Sequence, residues 1–439
     1  MLTRENGRLL SDLRTHEIIP HFVKTADGSC LIRTGETRVI CTASVEEKVP
    51  PFLRGKGEGW VTAEYAMLPA STGRRKQRDG LKKDGRSVEI SRLIGRALRQ
   101  AVNRKWLGER SITVDCDVLT ADGGTRTAAI TGGFVALCYA IEGLMKKGLL
   151  KESPITHHIA AVSAGIVQGQ PCLDLCYSED STADVDMNFI MNDQEKFVEL
   201  QGTGEEQPFS IDELHQLLGL GQKGCRELIQ LQKEALGDFA NQIGQKHTLV
   251  LATNNAHKVH ELTAMLGDHF HVLSMKEAGF TDEIEENGAT FEENALIKAQ
   301  TIANATGFTA LADDSGLSVD ALNGAPGIYS ARYAGEHGND KKNNELLIEH
   351  LKGLPSPWTA QFVCALALVR PSATPIIVRG EAKGEIIAQA KGEGGFGYDP
   401  HFLYKTGETF ATMSQEDKNA ISHRANAMEK LMKEISTSL

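Results

Sequence analysis

The sequence predicts two large domains, α/β and α+β in class, and three observations carry that expectation. Apolar residues alternate with polar ones over strand-length runs and recur at a 3.6-residue period over helix-length runs, in both halves of the chain. Glycine- or amide-rich turns join strand to helix in each half. A polar segment, Asn241-Gln242-Ile243-Gly244-Gln245-Lys246-His247, separates the halves, and no internal repeat relates them. The expected boundaries are 1–243, a linker at 244–247, and 248–439. At roughly 150 residues per domain the chain would make about three, but open α/β domains often reach roughly 200–250. With 41% apolar and 24% charged residues, either half can bury a core, which excludes disorder.

The eight cysteines carry no C-x-x-C pair and no Cys/His ligand cluster. Cys116 alternates with Ile112, Val114 and Val118, so these residues read as small buried hydrophobes in a reducing compartment. Cys172 and Cys176 are placed on one face of a strand, in a structural role. Met1 to Arg8 is polar and charged, unlike a secretory leader, and no apolar run approaches the roughly 18 residues of a membrane span. A cytoplasmic protein with no membrane partner is therefore expected. A formal charge of −11 excludes wholesale coating of nucleic acid but not a local basic patch.

Such a patch stands at Arg74 to Arg86, where Arg74, Arg75, Lys76, Arg78, Lys82, Lys83 and Arg86 meet only Asp79 and Asp84. Its Gly and Asp content makes it a loop, and taken alone a solvated one. Val88, Leu93, Ile94, Ala97, Leu98 and Ala101 then predict a helix with Arg86 at its start. Ser111 to Leu119 alternates as a strand, and Ala121-Asp122-Gly123-Gly124-Thr125-Arg126-Thr127 turns into a helical run from Ala128 to Ile141. A glycine-rich turn there aims unpaired N–H groups outward at the positive end of the helix dipole, and Arg126 adds a fork of donors for an anion. A plain Gly-Gly turn with a surface arginine fits the same spacing. Ser178 to Asn188, between strand-like Leu173 to Tyr177 and Phe189 to Met191, gathers Asp180 and Asp186 among other carboxylates. These could supply a general acid or a magnesium ligand, or form an acidic surface turn.

Several runs now resemble bacterial RNase PH: Val49-Pro50-Pro51-Phe52-Leu53-Arg54-Gly55, Thr62-Ala63-Glu64-Tyr65-Ala66-Met67-Leu68-Pro69, Glu89-Ile90-Ser91-Arg92-Leu93-Ile94-Gly95-Arg96, Ala121 to Arg126 and Asp186-Met187-Asn188. They follow in order over residues 1 to about 240. The resemblance implies mixed sheets packed with helices and a phosphorolytic trimming of RNA, tRNA 3′ ends in particular, with inorganic phosphate as co-substrate. It implies that Arg86, Gly124, Thr125 and Arg126 hold phosphate, that Asp180 and Asp186 are the catalytic carboxylates, and that Arg74, Arg75 and Arg78 help to hold RNA. It also implies a hexameric ring. Ala70 stands where the family has a basic residue after Met-Leu-Pro.

The second half opens with Leu249 to Ala252 as a strand, Thr253-Asn254-Asn255-Ala256-His257-Lys258 as a turn, and Val259 to Leu266 as a helix. This joint offers hydroxyl, amide and backbone donors to a phosphate with Lys258 as a point charge, or no more than an N-capping turn. Thr290-Phe291-Glu292-Glu293 predicts a capping box opening a helix through Ala303, with Asn294 and Lys298 on one face, where they could equally solvate it. Asp313 and Asp314 are expected at the end of a short strand, Phe308 to Leu311, with the acidic run Asp282 to Glu286 upstream. Adjacent aspartates there raise each other's pKa unless a cation such as magnesium intervenes, and a solvated acidic turn is the alternative. Gly392 to Pro400 is a glycine loop carrying Phe396 and Tyr398, suited to enclosing a base. Lys418, His423 and Arg424 are expected on one C-terminal helix, the two permanent cations as grips for phosphate or base.

With Gly324-Ala325-Pro326-Gly327-Ile328-Tyr329-Ser330-Ala331-Arg332-Tyr333 and Ser422-His423-Arg424, these runs resemble the inosine triphosphate pyrophosphatase family over residues 248 to about 435. The resemblance implies an α/β domain with a long mixed sheet and a central cleft, a dimer, and Mg2+-dependent hydrolysis of ITP, dITP and XTP to monophosphate and pyrophosphate. By it Asp314 is the general base and, with Glu285, a magnesium ligand, Asp313 assisting. Thr253, Asn254, Asn255, Ala256, His257, Lys258, Ser315, Phe396, Gly397, Tyr398, Asp399, Lys418, His423 and Arg424 would bind the purine nucleoside triphosphate. The alternative of another class is that one half has lost catalysis and holds RNA or senses nucleotide. The presence of every carboxylate and phosphate donor named speaks against it.

Overall fold

Alternation along the first half becomes β1 (His16–Pro20), β2 (Gly28–Thr34), β3 (Thr37–Glu46) and β4 (Trp60–Met67). Then come α1 (Gly85–Gln100), α2 (Arg104–Leu107), β5 (Ser111–Thr120) and α3 (Thr125–Lys146). The strands form a sheet in the order β1-β2-β3-β5-β4, antiparallel except where β4 runs parallel to β5. β6 (Ile159–Val167), β7 (Gln170–Leu173), α4 (Tyr177–Asp180), β8 (Val185–Asn192), β9 (Phe197–Gly204) and α5 (Ile211–Leu236) follow, with an antiparallel sheet ordered β7-β6-β8-β9. The computed structural model describes residues 4–436 except 5–6, 79–83, 206, 337 and 372, so part of the basic loop lies outside the described residues. It divides the chain into two units, Met1–Gln245 and Lys246–Leu439.

α3 packs on β2 and β3 as well as on β6, so it is apolar nearly all round. Its length and hydropathy would suit a membrane span, against the expectation that no apolar run comes near that length. The window concerned is 83% buried inside the unit, which makes it a core helix. Glycine permits the contact: a Cβ on Gly28 would lie 2.1 Å from the Ala136 carbonyl oxygen. Gln232 of α5, fully buried, ties the layers by donating to the carbonyls of Thr131 at 3.0 Å and Ile159 at 2.8 Å.

Three expectations for this unit are corrected. The strand ends at Leu173, not Tyr177, because Asp174 turns through φ 55° to meet Arg14 and His16. Cys176 instead caps α4, so it shares no strand face with Cys172, although all eight cysteines are buried free thiols. Asp186 and Asn188 belong to β8, where Asp186 lies opposite Gly165 of β6, rather than to a turn.

In the second unit β10 (Thr248–Leu251), α6 (Ala256–Leu266), β11 (His271–Ser274), α7 (Phe291–Thr306), β12 (Thr309–Val319) and α8 (Asp340–Leu351) come first. β13 (Trp358–Val369), β14 (Ile376–Ile386), β15 (Phe402–Tyr404), α9 (Gln415–Ile421) and α10 (His423–Ser436) complete it. The six-stranded mixed sheet is ordered β11-β10-β12-β13-β14-β15, parallel among its first three strands and antiparallel beyond. α7 packs on β12 and β13, and α10 on β13 and β14.

Here three local expectations give way. β12 runs straight through Asp313 and Asp314, pairing with β13 from Ala310 to Val319, so the aspartates are mid-strand. Thr290 caps α7 through Glu293 N–H, but the Glu293 carboxylate accepts from Ala289 N–H, leaving half a capping box. The C-terminal helix breaks at Ser422, whose hydroxyl accepts from Ala425 N–H and starts α10 afresh, so Lys418 stands apart from His423 and Arg424. Because neither β2 nor α3 can retreat, Gly28→Ala is expected to cost about 3 kcal/mol, read by thermal unfolding of the chain.

Candidate active sites

In the first unit Gly124 opens α3 from the left-handed region, φ 63°, after Gly123 at 74°, and no side chain caps the helix. Its first N–H groups are therefore available to an anion. Thr37 holds the turn, donating to the Gly123 carbonyl at 2.7 Å and accepting from Asp122 N–H at 2.8 Å, while Tyr65 and Thr125 join hydroxyls at 2.8 Å. Behind the turn the buried Arg14 donates to the Asp122 carbonyl and, at 2.7 Å, to Asp174. Arg126 is aimed by Gln201 at 3.2 Å. Arg86 is exposed at the start of α1, and Arg74, Arg75 and Arg78 are exposed on the loop before it. That loop begins beside the glycine turn, since Ala121 N–H donates to the Ser71 carbonyl at 2.8 Å.

α4 delivers Asp180 and β8 delivers Asp186. The buried Arg4–Glu179 ion pair at 2.7 Å anchors α4 beneath them. Burial and the charge of Asp180 push the Asp186 carboxyl up to about 6, against the pull of Arg126 and Arg86. Burial raises Asp180 as well, opposed by Arg86, Arg126 and Arg14. Residues separated by more than half the unit thus share one electrostatic field.

In the second unit the alternation of β12 sends its two aspartates to opposite faces of the sheet. Asp313, buried, meets Lys258, Arg424 at 3.1 Å and the Cys364 thiol at 3.2 Å. Burial would raise its carboxyl, but Lys258 and Arg424 outweigh that and hold it far below the usual range. Asp314 meets α7 instead, where Lys298 lies 3.5 Å from it and 3.2 Å from Glu286. Burial raises Asp314 above its ordinary value, with Lys298 opposing. Asn294 and Lys298 are both buried, so they do not merely solvate the helix. Among the described contacts Glu286, rather than Glu285, enters this network, and Glu285 is exposed.

The remaining nucleotide candidates divide. Lys258 also donates to Ser315 at 3.3 Å, and Arg424 reaches Glu261 at 2.7 Å. Asn255 accepts from Lys258 N–H at 3.2 Å and Thr253 from Asn255 N–H at 3.2 Å, so capping is real here, and Asn254 is exposed. The side chains of Ala256 and His257 lie outside the described ones. Lys418 pairs with Asp399 and sits over the Phe396 ring, 4.7 Å from its centroid. His423 is buried and stacked on Phe362 at 5.1 Å, its pKa lowered by burial and by Arg424, so it is neutral.

Family models described as 3′ exoribonuclease family, domain 1 and domain 2, match residues 12–141 and 157–224. Ribonuclease PH of Neisseria meningitidis serogroup C is 57% identical over 232 residues, covering 52% of this chain and 96% of that protein. The Ham1 family model matches residues 249–434. The Ham1 protein of Staphylococcus aureus is 41% identical, covering 44% of this chain and 100% of its own, with a TM-score of 0.42. A solved structure titled nucleoside-triphosphatase / dITP/XTP pyrophosphatase, from Mycobacterium abscessus, is 41% identical over 42% of this chain and 98% of its own, with a TM-score of 0.38. The chain belongs to both families. The match to the ribonuclease PH family lies in the first half and that to the Ham1 family in the second.

In the ribonuclease PH half, reading the sequence missed Arg14, which no motif marks. In the Ham1 half it missed Glu286, Glu261 and Cys364, whose only signal is polarity inside otherwise apolar runs or one residue's offset in an acidic stretch. Asp186 carries a testable cost. Its folded pKa of about 6 exceeds the roughly 3.9 of an unfolded aspartate, so the folded state holds the extra proton between those values. That advantage is present at acid pH and lost as pH rises through 6. Asp186→Asn should therefore raise stability by about 1–2 kcal/mol at pH 7.5 and leave it nearly unchanged at pH 4, measured by denaturant unfolding at each pH.

Proposed function

We propose that the chain is a bifunctional enzyme, a phosphate-dependent 3′-to-5′ exoribonuclease acting on tRNA ends joined to a hydrolase of ITP, dITP and XTP. The observation that carries this is that each unit holds a carboxylate with a raised pKa beside a set of phosphate donors, half-buried at Asp186 and buried at Asp314. In the ribonuclease PH half, inorganic phosphate held by Arg86, Arg126 and the Gly124–Thr125 N–H groups attacks the last phosphodiester. A bond forms from its oxygen to phosphorus, the bond to the 3′ oxygen breaks, and protonated Asp186 gives that oxygen its proton. Asp180 keeps the proton on Asp186, and bound phosphate strengthens the effect. A nucleoside diphosphate and a shortened RNA leave. Arg74, Arg75 and Arg78 track the RNA backbone outside the site.

In the Ham1 half, water attacks the α phosphorus and the bond to the bridging oxygen breaks, releasing pyrophosphate, while Asp314 accepts the proton of the water. Lys258, Ser315 and Arg424 hold the phosphates, with Thr253, Asn254, Asn255, Ala256 and His257 at the mouth of α6. Phe396, Gly397, Tyr398, Asp399, Lys418 and His423 enclose a 6-oxo purine and leave an exocyclic amine unmatched.

Magnesium fits both halves. Asp314 Oδ2 is buried without a protein partner, and magnesium needs only one or two carboxylates beside phosphates and water. Asp314 with Glu285 or Glu286 would hold it in the Ham1 half; in the first half a magnesium ion on Asp180 and Asp186 is the alternative to Asp186 as the acid, since the ion would take the place of its proton. No set of three ligands stands ready among the described residues, so substrate phosphates would complete the shell. When bound, the ion neutralises charge on the phosphates. A hexameric ring built by the first half, dimer contacts from the second, and a reducing, cytoplasmic setting suited to eight free thiols complete the proposal.

Omitting phosphate should abolish product release from a 3′-extended tRNA; nucleoside monophosphates appearing without phosphate would mean hydrolysis and overturn the reading. Asp314→Asn should lower turnover of dITP by about 10²–10⁴-fold. Unaltered turnover in that variant would remove Asp314 as the base.

A further inference from the structure

The glycine loop that carries Phe396 is not held by its own residues alone. Gly397, at φ 62°, has both backbone groups taken by α8: its N–H donates to Asp340 Oδ2 at 2.7 Å, and its carbonyl accepts from Asn344 Nδ2 at 2.8 Å. Asn344 Nδ2 also donates to the Asp340 carbonyl at 2.9 Å, so the two side chains, one turn apart, act as one clamp. The Asn344 Oδ1 atom is buried with no partner, which marks the donor side of the amide as the side this position keeps.

On either side of Gly397 the loop is fixed by different means. Tyr398 donates to the Ser330 carbonyl at 2.8 Å, and Asp399 accepts from Phe396 N–H at 2.9 Å. Phe396 itself is 50% exposed, its ring resting on Lys418. The ring is therefore placed from two sides, by Asp399 at the Phe396 N–H and by α8 at the next residue, Gly397, whose left-handed backbone offers no side chain to anchor it. α8 is in turn bound to the segment before it, since Asn343 accepts from Ala334 N–H at 2.8 Å and donates to the Ala331 carbonyl at 3.3 Å.

We propose that Asp340 and Asn344 are positioning residues for purine recognition: by fixing Gly397 they hold the Phe396 ring where it meets the base. This rests on the reading of Phe396 to Asp399 as the base-binding loop. Neither residue contacts Lys258, Ser315, Arg424 or Asp314 among the described contacts, so the clamp acts on binding rather than on the chemical step.

The test uses the full chain, with phosphorolysis of RNA by the first half as an internal measure of intact protein. Asp340→Ala and Asn344→Ala should each raise KM for dITP about tenfold and leave kcat within about twofold. Asp340→Asn should remain near wild type, because an amide oxygen still accepts from Gly397 N–H. Asn344→Asp should be as poor as the alanine variant, because a carboxylate cannot donate to the Gly397 carbonyl. This opposite response to two exchanges of the same pair of residue types separates a clamp from a general loss of folding. Phe396→Ala tells the two readings apart. If it raises KM while the α8 variants do not, the clamp is wrong and the base pocket stands. An unchanged KM in Phe396→Ala removes the base pocket, and the clamp with it.

Discussion

A carboxylate buried with too little positive charge around it is the constraint on which both halves depend. Each unit contains a contrasting pair of aspartates, all buried except Asp186, which is half-buried. Asp174 and Asp313 each have two basic partners, Arg14 with His16 and Lys258 with Arg424, and both are held far below the usual carboxylate range despite burial. Asp186 and Asp314 lack such a pair in direct contact and are raised. One aspartate of each pair is thereby a permanent anion that organises cations, and the other is poised to carry a proton. The same side chain does two jobs because the number of cations within reach, not the residue type, sets the outcome.

The Ham1 half achieves this with a single dipeptide. Two adjacent aspartates in a turn would repel each other, and a shared cation would be needed to hold them. In a strand they point to opposite faces, so each meets its own layer: α10 and the start of α6 on one side, α7 on the other. Each carboxylate thus has its own direct cations, Lys258 and Arg424 for Asp313 and Lys298 for Asp314, while Lys258 still acts on Asp314 and Lys298 on Asp313 through space. The ribonuclease PH half takes the other course. There Asp180 and Asp186 lie close enough for one to raise the other, which favours a proton on Asp186.

Much of this was legible in the residues. Gly123-Gly124 before an apolar run announces a helix start open to anions, because only glycine takes the left-handed conformation without strain and leaves the N–H groups uncovered. The helix at Arg86, the strand at Ser111 and the polar break before Thr248 are equally local, since periodicity and turn chemistry are properties of neighbouring residues. Where reading failed, the reason was a partner far away. Leu173 to Tyr177 alternates well enough for a strand, yet Arg14 and His16 capture Asp174 and turn the chain. α3 is apolar enough for a membrane because two sheets, not lipid, surround it.

What the sequence alone determined is the inventory and its local grammar: two domains, their strand and helix periods, the glycine turns, and which residues could bear charge at a phosphate. What only the tertiary structure decided is which charge meets which. Glu286 rather than Glu285 reaches Lys298, Arg14 backs the glycine turn from a hundred residues away in sequence, and the Asp313-Asp314 pair is split rather than shared. Chemistry of this kind depends on separations of a few ångströms between side chains on different elements. Those separations follow from strand pairing and helix docking, and sequence distance carries no record of them.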